Sequence, residues 1–153
     1  MKKLFIYFLA SVLLSVTANA QEPLIKKHYN LDDGIAIHGY DPVAYFKQNK
    51  AVEGHKEFSV FYQGATYHFA TAENKELFKA EPSKYEPAYG GWCAYAMGAK
   101  GEKVDVDPGT FKIKNGRLFL FYNKFFNNTL KDWNKDETNL QSKADQNWKT
   151  IFH

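Results

Sequence analysis

Cysteine is nearly missing from this chain. Cys93 is the single one, and one cysteine cannot close an internal disulfide, so a disulfide scaffold is excluded. Its thiol is left as buried filler, an intermolecular link, a ligand or a reactive group. An excess of one charge is missing too. Lysine and arginine number 20 against 17 acids, a net charge of +3. That balance excludes a nucleic-acid partner, because phosphate contacts need a basic surface. No zinc signature, phosphate-cradling glycine loop or serine-centred elbow occurs. Glu102, Asp105 and Asp107 lack the glycine and terminal glutamate of a calcium loop, and read as a solvated acidic loop. Internal repeats and low-complexity segments are absent.

No apolar run is long enough to cross a bilayer comfortably. The longest, Leu4 to Val16, follows Lys2 and Lys3 and precedes Ala18-Asn19-Ala20. A positive start, a short apolar stretch and a small-x-small end are the pattern of a secretory signal peptide over residues 1–20. The expected mature chain, 21–153, is periplasmic or secreted and has no membrane span. It loses two lysines and no acid, which leaves a charge of about +1.

What is abundant is aromatic side chains, 17% of the chain. Most fall on strand or helix periodicities, which points to core filling. Residues 21–30 read as a poorly ordered lead-in. Asp32-Asp33-Gly34 is a turn before a short strand. Asp41 caps a short helix that starts at Pro42. Strands 57–62 and 65–70 flank the turn Gln63-Gly64 as an antiparallel hairpin. Alternation places Tyr67 and Phe69 toward the core and His68 on the opposite face.

Thr71 caps a helix over 72–80, and Pro82 starts a further turn. After Gly90-Gly91 a short helix is expected, with Cys93 and Met97 on one face. Residues 111–114 and 117–122 form a hairpin about Asn115-Gly116. Helices are expected over 124–133 and 137–151, the second with Leu140, Ala144, Trp148 and Ile151 at helix spacing. The class is α+β: a small antiparallel sheet of two hairpins, covered by short helices, with a helical C-terminus.

Three functions follow from these residue types. A non-enzymatic binding module could hold a soft metal, copper as Cu(I), through Cys93, Met97, His68 and His38. A metal-free module could bind a small molecule or protein in a pocket lined by Tyr40, Tyr67, Tyr89, Trp92 and Tyr95, with Cys93 merely packed. A thiol enzyme could use Cys93 as nucleophile with His68 or His38 as base. A binding role is favoured over catalysis, and the sequence leaves the ligand and oligomeric state open.

Residues 39–46, 62–71 and 78–85, which include Gly39-Tyr40-Asp41-Pro42-Val43-Ala44 and Tyr67-His68-Phe69-Ala70-Thr71, resemble the YHS domain family. The resemblance covers residues 39–86, with 87–153 as an extension. Gly90-Gly91-Trp92-Cys93 and the tail are similar to an exported bacterial branch of it. The name residues fall on Tyr67, His68 and, with serine replaced, Thr71. The resemblance implies an association with heavy metals. Its metal-associated members carry cysteines where this chain has Ala44, Ala70 and Asn74. Two methyls and an amide do not replace three thiolates, so any metal would need a different set.

Overall fold

The structure, a computed structural model, describes residues 28–151. Strands β1 (Leu31–Asp32) and β2 (Ile35–Ala36) open the fold. Helix α1 (Pro42–Gln48) follows, then β3 (His55–Tyr62) and β4 (Ala65–Phe69). Two helices come next, α2 (Ala72–Ala80) and α3 (Pro82–Tyr85), and then α4 (Ala94–Lys100). A second hairpin pairs β5 (Asp107–Lys114) with β6 (Arg117–Phe121). The chain ends with a small hairpin, β7 (Asn123–Lys124) and β8 (Asn127–Asn128), and helices α5 (Thr129–Trp133) and α6 (Glu137–Ile151). Among the described residues no helix is long and apolar enough to cross a membrane.

The α+β class stands, but the sheet is divided. β1-β2-β4-β3 form one four-stranded sheet, in which β2 and β4 run parallel. β5 and β6 form a separate ribbon. Each hairpin has one edge already taken. β2 occupies the free side of β4, and residues 87–93 run along β6 through bridges of Pro87 to Leu118 and Cys93 to Leu120.

Two apolar clusters fill the interior. In the first, Tyr67, Phe69 and Phe78 meet at ring separations of 4.6 and 5.2 Å, so α2 docks on β4 through Phe78. Burying a side chain of this size is worth roughly 2–3 kcal/mol. The second gathers Tyr89, Met97, Phe119, Phe121 and Trp133 with Leu140 and Ala144 of α6. Gly98 of α4 faces the Leu140 carbonyl so closely that a Cβ there would strike it.

One local expectation fails, and another reaches the described residues only at its end. Of the lead-in, residues 21–27 lie outside the described residues, while 28–30 are anchored: Asn30 N–H donates to Gly90 O at 2.8 Å and Trp92 Nε1 donates to His28 O at 2.6 Å. Residues 124–128 are not helical. Phe125 and Phe126 take left-handed φ of 53° and 64°, and Asn128 caps α5 by accepting from Leu130 N–H. Left-handed backbone breaks a right-handed helix and costs about 1–2 kcal/mol per residue outside glycine.

Candidate functional site

Asp41 is a buried carboxylate at the start of α1, with 0% exposure. Pro42 presets the first helical turn, and Asp41 Oδ1 accepts from Val43 N–H and Ala44 N–H at 2.8 and 3.2 Å. That much is an ordinary helix cap. Its second oxygen makes the site unusual. Oδ2 accepts from Ala70 N–H at 2.8 Å and from Asn74 Nδ2 at 2.7 Å. Four N–H donors thus enclose one carboxylate, which answers the desolvation of a buried acid.

Cys93 is equally buried, at 0% exposure. It caps α4, and its N–H donates to Val104 O at 2.9 Å. Tyr122 N–H donates to Sγ at 3.4 Å, and Sγ lies 3.4 Å from Thr129 Oγ1. The Thr129 hydroxyl also reaches Tyr122 O, at 2.9 Å, so one threonine oxygen bridges the thiol and the backbone. The sulfur is thus held by two neighbours and has no contact with solvent. Thr129 N–H also donates to Tyr122 O at 3.0 Å. Together these bonds close the base of the β7–β8 hairpin.

Above this clamp lies a cavity of about 250 Å³. Its walls include Tyr95, Ala96, Val104, Tyr122 and Asn127, with Ala99, Lys100 and Glu102 at the mouth. Thr129 and Cys93 complete the floor, with the thiol sealed beneath it.

Residues 43–89 match the family model of the YHS domain. The match spans 47 of the chain's 153 residues. No curated protein and no solved structure matches the chain. The YHS family is often linked to metal binding. The three positions where the resemblance puts cysteine in metal-associated members each bond Asp41, Ala44 and Ala70 through backbone N–H and Asn74 through its side-chain amide. Their side chains are two methyls and an amide, which offer a soft cation no thiolate.

The other metal candidates are dispersed. Among the described residues no three His, Cys, Asp or Glu side chains form a group able to hold a metal. His38 Nε2 is engaged with Asp105 Oδ1 at 2.8 Å. His68 lies on the opposite face of β4 from the core, its Nδ1 so close to Gly39 that a Cβ there would stand 3.4 Å away. Desolvation and then Lys56 lower its pKa. Met97 packs in the second cluster while Cys93 packs in the first. Cys93 is a cap residue with ψ of 117°, outside the helix, so helical spacing does not align the two sulfurs.

The predicted aromatic pocket divides in the same way. Tyr67 donates to Glu86 Oε1 at 3.0 Å and Tyr89 to Asp145 Oδ1 at 2.9 Å, in different clusters. Trp92 holds His28, and Tyr40 packs against the first cluster. Of the five, Tyr95 alone is among the residues lining the cavity, where Tyr122 joins it. Burial raises the Tyr67 and Tyr89 pKa values, with Glu86 and Asp145 adding to it, so both hydroxyls stay protonated donors. Asp105 is drawn into structure rather than left in a solvated loop. Despite some burial, bonds from Asn30, Val106 N–H and His38 hold its pKa at about 2.

Proposed function

We propose that this protein is an exported binding module that takes a small organic molecule, not a copper ion. The carrying observation is the cavity of about 250 Å³ between α4, Val104 and the β7–β8 hairpin. It combines apolar wall at Ala96, Ala99 and Val104 with polar groups at Lys100, Glu102, Asn127 and the tyrosines. Sites of this make-up orient small ligands by a few polar contacts on an apolar surface. Export rests on the pattern of residues 1–20, which lie outside the described residues.

Copper at a non-standard site is the second reading, favoured by the presence of the Cys93 thiol beside the cavity. It would require the thiol to leave Thr129 and Tyr122. A thiol enzyme fits less well, since neither His38 nor His68 lines the cavity or bonds Cys93.

The test is an NMR titration of the isotope-labelled chain with phenol, indole and 4-hydroxybenzoate. Saturating shifts are expected at the amides of Ala96, Val104, Asn127 and Thr129 for at least one probe. The exposed-rim substitution Ala99→Trp should abolish them. Scattered, unsaturable shifts from all three, or shifts unchanged in the variant, would end the proposal.

A further inference from the structure

Four two-residue turns join paired strands among the described residues, and each has both central residues at positive φ. Three are chemically ordinary: Asp33-Gly34, Gln63-Gly64 and Asn115-Gly116. Glycine at the second place makes this geometry easy. The fourth is Phe125-Phe126. Two bulky residues stand where the other turns use a small polar residue and glycine. Neither ring is hidden to compensate, for Phe125 is 88% exposed and Phe126 111%. The tip is therefore both strained and wet, and the fold gains nothing from either ring. Strain of this kind persists where a surrounding structure imposes it, and it marks functional sites. Here the stem imposes it, through the Tyr122, Thr129 and Cys93 bonds at its base.

We propose that Phe125 and Phe126 form a finger that inserts into the interface of a lipid bilayer. Shape and area choose this occupant. Two adjacent rings on a tight turn are convex, and they offer roughly half of the surface that a standard protein interface buries on each side. A bilayer surrounds a convex tip on all sides and needs no matched surface, and aromatic rings favour the headgroup boundary. Charge does not supply the attraction. Exposed Lys100 and Glu102 share the cavity beside the hairpin, and Lys124 lies 3.5 Å from Asp105 Oδ2. Insertion is therefore expected into neutral phosphatidylcholine, with little dependence on salt.

The experiment uses the full chain with phosphatidylcholine vesicles, in sedimentation and fluorescence. The double substitution Phe125→Asn with Phe126→Gly restores ordinary turn chemistry, so it folds at least as well as the native chain. It is expected to lower vesicle partition at least tenfold. Segment 1–27 is common to both proteins and cancels from the comparison. The indole introduced by Phe126→Trp gives the local readout: its added emission should shift to the blue and be quenched by brominated phosphatidylcholine. Equal partition of the double variant, or an introduced indole that brominated lipid does not quench, overturns the proposal. Binding of the tip by a soluble protein with no vesicle binding would overturn it equally.

Discussion

Cys93 Sγ lies 3.4 Å from Thr129 Oγ1, and neither atom is open to solvent at that contact: Cys93 is 0% exposed and Thr129 7%. That burial separates a structural cysteine from a reactive one, since reactive thiols are at least partly exposed.

Removing the sulfur should therefore cost stability rather than activity. Cys93→Ala leaves a small void and strands the Tyr122 N–H, for a loss of about 1–3 kcal/mol. Urea unfolding measures it. A change within error of zero would mean that the clamp contributes nothing.

Asp41 should be less replaceable still. Asp41→Ala leaves the Ala70 N–H and the Asn74 amide without their acceptor in a buried site. The expected loss is about 3–5 kcal/mol, in the range for breaking a buried charged network. Asn74→Cys alone should not create a metal site, because the side chains of Ala44 and Ala70 are still methyls. Thermal unfolding with and without Cu(I) checks both statements.

The Phe125-Phe126 turn stores strain that ordinary turn residues would release. Phe125→Asn with Phe126→Gly should raise stability by about 1–2 kcal/mol. Chemical denaturation reads this independently of any lipid. A loss of stability would show that the rings are held by contacts within the fold.

Much of this architecture is legible in the sequence, and the failures share a physical cause. Asp41-Pro42 announces α1, Thr71 announces α2, and the spacing of Leu140, Ala144, Trp148 and Ile151 announces α6. These signals are local. Each glycine-ended turn was also readable, because glycine tolerates the backbone it needs. The Phe125-Phe126 turn carries no such chemistry, and its aromatic residues read as helix. The Asp41 cage and the Cys93 clamp were hidden for another reason. Asn74 lies 33 positions from Asp41, and Thr129 lies 36 from Cys93. Periodicity describes one element at a time and says nothing of which distant donors it will meet.

Acid should weaken the fold through Glu137. Burial raises its pKa, but bonds from Lys112, Lys114 and Trp133 together outweigh that and hold it at about 2, against 4.5 for the free group. A depressed acid stabilises the fold above its unfolded pKa, and the contribution is lost as pH falls toward the folded value. Wild type and Glu137→Gln should differ at pH 7 and converge between about pH 4.5 and 2. Denaturant midpoints across that range provide the check. A gap that stays constant down to the lowest pH would exclude the ion pairs as its source.

Cys93 as a clamp and not a ligand is tested most directly by Cu(I) titration. The folded protein is titrated under reducing conditions against a chromogenic copper chelator, beside Cys93→Ser. The predicted result is that the chelator keeps the copper equally in both samples. One equivalent of Cu(I) withdrawn by the wild type and not by Cys93→Ser would contradict it.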